Sequence, residues 1–193
     1  MHAHSESGQI YQTFVGAPFS GTWDVFSAAL KRKDDFLVDA SGHRRLTYPE
    51  VFTRARALMH AFTHEFKLKP LDRVVVVGRN SLEWIIAYIA ASWAGMIAVP
   101  MNSWWTGAEL EFGITDSQAR VVFADDERMA RLVSRMEQLR DVVFVRMEHS
   151  AARAEATSEF DVLVDRHLKY AAEVRTGQPR GISQDSACMI MVT

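Results

Sequence analysis

The stretch from Gly78 to Glu109 constrains the fold more than any other part of the chain. It reads GRNSLEWIIAYIAASWAGMIAVPMNSWWTGAE and carries no charged residue between its two glutamates. About 20 consecutive apolar residues can cross a bilayer, so the composition alone would suggest a membrane span. Gly95 and Pro100 interrupt the stretch, however, because glycine ends helices and proline ends short strands. The pattern therefore predicts a buried helix followed by a buried strand in a globular core.

The rest of the chain alternates the same two patterns. Apolar, often β-branched runs predict strands at 36–39, 44–46, 73–77, 96–99, 120–124, 142–145 and 187–192. Apolar residues at helical spacing predict helices at 22–33, 48–65, 82–93, 106–117, 129–139 and 160–173. Such alternation indicates an α/β fold, with a mostly parallel sheet and helices on both faces. We expect a leader at 1–21 and one α/β subdomain at 22–193.

Composition excludes several classes of function. The 193 residues include 22 basic and 24 acidic side chains, a net charge of -2, with no basic stripe among aromatics. A nucleic-acid partner is therefore not expected. The single cysteine, Cys188, has no disulfide partner in the chain and fits a reducing compartment. The N-terminal residues lack the basic start and apolar run of a signal peptide, so we expect a cytoplasmic protein without a membrane span.

Two histidines are the candidates for a metal site. His60 and His64 are four residues apart on a predicted helix, which can place both rings on one metal ion. The residues between them lack the glutamate of the zincin motif, and no third ligand is evident. We interpret both as solvated histidines on a helix face and expect no metal site.

The turn after the predicted strand 73–77 is the candidate for a phosphate site. Gly78 precedes a capped helix, where free backbone N–H groups can hold a phosphate. Neither glycine-rich phosphate-binding spacing is present, so Asn80 and Ser81 are better interpreted as helix caps.

No catalytic constellation stands out elsewhere. Glu83, Glu109 and Glu111 are interpreted as cap or surface carboxylates, because no partner for acid–base chemistry can be identified.

Trp104 and Trp105 follow the predicted strand 96–99, beyond its carboxyl end. In open parallel sheets ligands bind at that edge, so the pair could form the wall of an apolar substrate channel. Tryptophans also bury large areas in ordinary cores, so the pair could instead clamp the loop onto the core. The second interpretation needs no ligand and is the simpler one.

Four segments resemble the N-terminal part of the adenylate-forming acyl-CoA synthetase superfamily. They are LTYPEVFTRARALMHAF (46–62), LKPLDRVVVVGRNSLEW (68–84), AYIAASWAGMIAVPMN (87–102) and TGAELEFGITDSQARVVFAD (106–125). Their order and spacing match the family over about 22–193. The run Pro100-Met101-Asn102 is more similar to acyl-CoA ligases than to peptide-synthetase domains.

The resemblance implies a two-step reaction. A carboxylic acid substrate attacks ATP to form an acyl-adenylate, and the CoA thiol then displaces AMP; Mg²⁺ neutralises the phosphates and a lysine of a C-terminal domain assists. The resemblance also implies that Thr193 is the first threonine of the phosphate loop, which makes it the one cofactor-binding residue in this chain. The resemblance places no catalytic residue of the family within this chain. We therefore expect a fragment of a fatty-acyl or aryl CoA ligase that is inactive alone.

The alternative is a self-contained, non-catalytic α/β binding module. A severed subdomain should expose apolar surface where the remainder of the N-terminal domain would pack, and it could cover that surface by forming a homo-oligomer. An intact module should hide such surface.

Overall fold

The computed structural model describes residues 3–6, 9–12, 28–40, 42–147 and 158–174. Within the expected leader, strands β1 (Ala3–Glu6) and β2 (Gln9–Gln12) pair in antiparallel fashion. Strands β3 (Asp35–Val38) and β4 (Arg45–Thr47) form the second hairpin. The predicted hairpin before the main sheet is thus confirmed.

A parallel four-stranded sheet follows, and it has the order β6-β5-β7-β8. Its strands are β5 (Arg73–Val77), β6 (Ile97–Met101), β7 (Val121–Ala124) and β8 (Val143–Arg146). Strand β5 pairs with both β6 and β7, so the chain leaves β5 on one side and returns on the other. The fold class predicted from the alternating pattern is therefore confirmed.

Five α-helices flank the sheet in the part of the chain that is described. They are α1 (Tyr48–His64), α2 (Leu82–Trp93), α3 (Gly107–Asp116), α4 (Asp126–Leu132) and α5 (Glu159–His167). Short 3-10 helices cover Ala28–Lys31, Val133–Arg135 and Leu168–Tyr170. Among the described residues, no helix is both long enough and apolar enough to span a membrane.

The two faces of the sheet carry separate hydrophobic clusters. Val74, Val76 and Phe123 pack on the face covered by α1, α2 and α5. Val75 and Val122 pack on the opposite face, against α3 and α4. The connection from β5 through α2 to β6 and the connection from β6 through α3 to β7 cross the sheet in opposite directions. Because such crossovers are right-handed, the two connections place their helices on opposite faces.

Three predicted helices differ from the observed ones. Of the predicted helix 22–33, the described part contains only the 3-10 helix at 28–31. The predicted helix 129–139 begins earlier, because Asp125 caps it, and its α-helical part ends at Leu132. The predicted helix 160–173 is α-helical only to His167 and continues as a 3-10 turn. The predicted strand 187–192 lies outside the described residues.

Candidate functional site at the carboxyl edge of the sheet

The chain reverses its direction across the sheet between β5 and β7. In open α/β sheets this switch point opens a crevice beyond the carboxyl ends of the strands, where ligands bind. Two segments border this switch point: the turn at 78–81, which follows β5, and the residue Asp125, which follows β7. The loop 102–106, which follows β6, lies along the same edge. These segments form the candidate site.

The Asp125 carboxylate fills the space between the two turns. It accepts hydrogen bonds from the backbone N–H of Arg79 at 2.9 Å and from that of Arg128 at 3.0 Å. The Arg128 guanidinium donates to it at 2.8 Å. A Cβ added at Gly78 would lie 3.0 Å from the same carboxylate, tighter than an ordinary van der Waals contact, so a larger residue here would require the Asp125 side chain to shift.

This arrangement does not fit a nucleotide phosphate at the turn after β5. The Arg79 N–H, which could have bound a phosphate, already donates to Asp125. Ser81 acts as the N-cap of α2, and its side chain accepts a hydrogen bond from Trp84 N–H at 3.1 Å. The interpretation of Ser81 as a helix cap is confirmed.

Two arginines of α4 hold the loop that carries the tryptophans. Arg128 donates from Nε and Nη2 to the Ser103 carbonyl at 2.7 and 2.5 Å. Arg131 donates to the same carbonyl at 3.1 Å and to the Trp105 carbonyl at 2.7 Å. A Cβ on Gly107 would approach the Arg131 carbonyl to 2.3 Å, so the first turn of α3 lies directly against α4. The loop is thus fixed by buried charge as well as by packing.

An acidic side chain completes this arginine cluster. Glu127 forms ion pairs with Arg128 at 3.0 Å and Arg79 at 3.5 Å, and it also contacts Arg131. Desolvation acts to raise the pKa of Glu127, but the three arginines outweigh it and lower the pKa below its ordinary value. Glu127 is therefore charged at neutral pH, and together with Asp125 it offsets two of the three positive charges at this edge.

The structure separates the two tryptophans. Trp105 is partly buried and packs against the second hydrophobic cluster, where its ring would contact a Cβ on Gly113 at 2.9 Å. The side chain of Trp104 is 80% exposed at the same edge of the sheet. The contacts of Trp105 are those expected of a clamp, whereas the position of Trp104 suits a side chain that meets a ligand. A substrate role for either residue stays a prediction.

The histidine prediction is half wrong. His64 is exposed, as expected of a residue on a solvated helix face. His60 is partly buried, and it contacts His167 on α5, with 2.8 Å between the two Nδ1 atoms. Sequence spacing within one helix could not reveal a partner that is 107 residues away. Over the described ranges, no cluster of three or more histidine, cysteine or acidic side chains could hold a metal ion.

The carboxylate predictions also divide. Glu109 completes a capping box with Thr106, as predicted. Glu111 is partly buried and pairs with Arg135. Glu83 lies in the first turn of α2, but its interpretation as a surface residue is wrong, because it is only 2% exposed and pairs with Arg44. Thr193 lies outside the described residues.

Sequence reasoning missed the arginines that hold the site together. Arg128 is 1% exposed, which is unusual for an arginine. One signal was available: Asp125 and Arg128 are three residues apart at a helix start, a spacing that favours an ion pair. That signal does not reveal burial, which depends on how the 102–106 loop folds over α4.

Fold and site together define an open, doubly wound α/β protein with a buried ion pair at the switch point of its sheet. Within that class, the chain belongs to the AMP-binding enzyme family, whose sequence profile matches residues 26–193. The resemblance to adenylate-forming enzymes is therefore confirmed.

Relatives of known sequence agree with this assignment. The chain is 34% identical over 96 residues to a long-chain-fatty-acid–CoA ligase of Haemophilus influenzae; the match covers 50% of this chain and 17% of the relative. It is 32% identical over 125 residues to the N-(5-amino-5-carboxypentanoyl)-L-cysteinyl-D-valine synthase of Amycolatopsis lactamdurans, covering 65% of this chain and 3% of that protein. The chain thus matches less than a fifth of the length of either relative.

A solved structure shares the fold. The anthranilate CoA ligase AuaEII, in complex with anthranoyl-AMP, superposes with a TM-score of 0.74 and 18% identity. The alignment covers 90% of this chain and 32% of that one. At this identity the comparison supports the architecture alone.

Proposed function

We propose that the chain is the first α/β unit of an ATP-dependent acyl-CoA ligase, which activates a carboxylic acid as an acyl-adenylate and transfers the acyl group to CoA. The main support for the proposal is the match of residues 26–193 to the AMP-binding enzyme family. A long-chain-fatty-acid–CoA ligase among the similar sequences supports it further. The Pro100-Met101-Asn102 run at the end of β6 supports a CoA ligase over a peptide synthetase.

Within that enzyme, this unit is a scaffold and does not itself hold the nucleotide. The ion pair of Asp125 and Arg128 occupies the crevice where an α/β sheet would otherwise bind phosphate. In this proposal ATP and Mg²⁺ bind at the phosphate loop that begins at Thr193, and CoA meets the acyl-adenylate there. The described residues contribute the parallel sheet of the N-terminal domain.

The loop 102–106 supplies the acyl-substrate side of the site. Trp104 presents a large apolar surface to solvent, and the hydrogen bonds of Arg128 and Arg131 to Ser103 fix the loop that displays it. A fixed aromatic surface suits an apolar or aromatic acyl group, because little conformational entropy is lost on contact. Trp105 anchors the loop from below.

Carboxylate-dependent ATP–pyrophosphate exchange tests the proposal. The 193-residue chain is compared with a chimera in which the segment after Thr193 comes from the Haemophilus influenzae ligase. We expect no exchange by the chain alone and exchange by the chimera with fatty or aromatic acids.

Two outcomes would contradict the proposal. Exchange by the 193-residue chain alone would show that the unit is not merely a scaffold. A chimera that folds, binds ATP and still gives no exchange would favour the non-catalytic binding module. Circular dichroism and ATP binding establish folding independently of activity.

A further inference from the structure

Three aromatic side chains stack where α1 meets the segment formed by α5 and the 3-10 helix that follows it. The His60 ring lies between those of His64 and Tyr170, with centroid distances of 3.9 and 4.3 Å. The planes are nearly parallel, at 10° and 8°. His167 approaches the same ring from α5, with a centroid distance of 5.0 Å. The acyl-ligase proposal uses none of these residues.

Hydrogen bonds connect the stack to a carboxylate. His167 Nε2 lies 2.7 Å from a Glu65 oxygen, and its Nδ1 lies 2.8 Å from Nδ1 of His60. Because Glu65 is acidic, His167 donates through Nε2. One proton then lies between the two Nδ1 atoms, donated by one ring and accepted by the other. The pair can therefore carry at most one positive charge while this contact lasts.

The surrounding charges make a second proton more costly. Arg166 donates to Glu65 at 2.7 Å, and Lys169 lies over the Tyr170 ring at 4.8 Å. Arg56 precedes His60 by one turn of α1, and its buried Nε has no hydrogen-bond partner among the described residues. Glu173 is the acidic group that acts in the opposite direction on His60. The His167 side chain is 8% exposed, so water screens a second charge poorly.

We propose that the His60–His167 pair is a pH-sensitive contact that holds the segment 159–170 on α1 when singly protonated or neutral and releases it when both rings are charged. Two imidazolium ions would each present an N–H to the other across 2.8 Å, which replaces a hydrogen bond by a repulsion. The sheet does not depend on this contact, because its strands are joined by their own ladder.

The electrostatics of His60 agree with the geometry. Burial, followed by the positive charges of His64 and His167, lowers the pKa of His60 from its ordinary value of 6.5. Because its pKa is lowered, His60 stabilises the docked segment in its neutral form, and this contribution is complete above pH 6.5. The contribution is lost as the pH falls below that value and the ring becomes protonated. Release is therefore expected in mild acid.

Hydrogen exchange of the intact protein from about pH 7.5 to about pH 5 tests the proposal. After correction for intrinsic exchange rates, amides of α5 should lose protection by up to about tenfold per pH unit, as expected for one proton taken up on release. Amides of β5 should keep their protection. His60→Phe, which retains a ring between His64 and Tyr170, should flatten the pH dependence of α5 protection, whereas the exposed His43→Gln should leave it unchanged.

His60→Gln provides a second variant without a ring, in case the phenylalanine destabilises the stack. The proposal is overturned if α5 protection stays constant across the range. It is also overturned if the folded His60→Phe and His60→Gln proteins lose protection with the same pH profile as the wild type.

Discussion

Asp125 and Arg128 form a charged pair inside the protein, with side chains 6% and 1% exposed. Removing two charges from water costs several kcal/mol each, and their attraction offsets this only when the remaining polar atoms are also satisfied. Here the surrounding backbone meets that condition: the Arg79 and Arg128 N–H groups donate to the aspartate, and the Ser103 carbonyl accepts from the arginine. The pair thus links three loops at one edge of the sheet.

Asp125→Ala should destabilise the protein by about 3 kcal/mol, because it removes the buried carboxylate partner of Arg128, which keeps only the partly exposed Glu127, and also removes the N-cap of α4. Urea unfolding followed by circular dichroism measures this change. Asp116→Ala, which removes an exposed aspartate from the end of α3, should stay within about 0.5 kcal/mol of the wild type. Equal effects of the two substitutions would show that the buried pair contributes no more than a surface charge.

The tryptophans of the loop 102–106 should respond differently to truncation. Trp105→Ala removes packing from the second hydrophobic cluster and should cost about 3 kcal/mol of unfolding free energy. Trp104→Ala removes an exposed ring, so stability should change by less than about 0.5 kcal/mol. In the active chimera, Trp104→Ala should instead raise the KM for the carboxylic acid. An unchanged KM would remove Trp104 from the substrate site.

Helices and hairpins are joined by charges as well as by apolar surface. Arg44, which directly precedes β4 in the β3–β4 hairpin, pairs with the buried Glu83 of α2. The other Glu83 oxygen is buried and has no hydrogen-bond partner among the described residues. The carboxylate therefore depends on one arginine that is half exposed. This contact fixes the hairpin to the helix that follows β5.

Arg44→Ala should cost about 1–3 kcal/mol, because it leaves the Glu83 carboxylate buried without a donor. Arg45→Ala is the matched control: it removes an adjacent arginine whose pair with Asp35 is exposed, so about 0.5 kcal/mol or less is expected. Thermal unfolding of both variants measures the difference. Adding Glu83→Gln to Arg44→Ala should recover part of the loss, and no recovery would mean that the charge is not its cause.

Local sequence patterns predicted most helices and strands. The features that they did not predict depend on contacts between residues far apart in the chain. Thr47 and Thr106 precede glutamates at capping-box spacing, and α1 and α3 begin where that spacing predicts. The β-branched run of β5 identified a strand covered on both faces. Burial of Glu83 and the contact of His60 with His167 depend on residues 39 and 107 positions away. No local pattern encodes such separations.

Acid should destabilise the whole molecule in two steps. Above pH 6.5 the neutral form of His60 contributes fully, and this contribution is lost as the pH falls below that value. Thr47 lowers the pKa of Glu50, and Thr106 that of Glu109, through backbone hydrogen bonds, each from an ordinary 4.5. Their stabilisation is present above pH 4.5 and is lost as the pH falls through the lowered values.

Unfolding free energies measured between about pH 8 and about pH 3 should show both steps. His60→Gln should remove the upper step and leave the lower one. Glu109→Gln should reduce the lower step alone. A single acid transition that neither substitution changes would show that other groups control acid stability.

Pro100 has a consequence for how this protein avoids aggregation. Ile97 N–H donates to the Asp72 carbonyl at 2.9 Å, so residues of β6 two or four positions away also direct their backbone groups toward β5. Pro100, at the alternate parity, directs its nitrogen away from β5, to the outer side of the strand. A foreign strand that approached this edge would meet no donor there. Within the described residues β6 is an edge strand, so Pro100 disfavours pairing of this edge with other chains and loses no ladder hydrogen bond to β5.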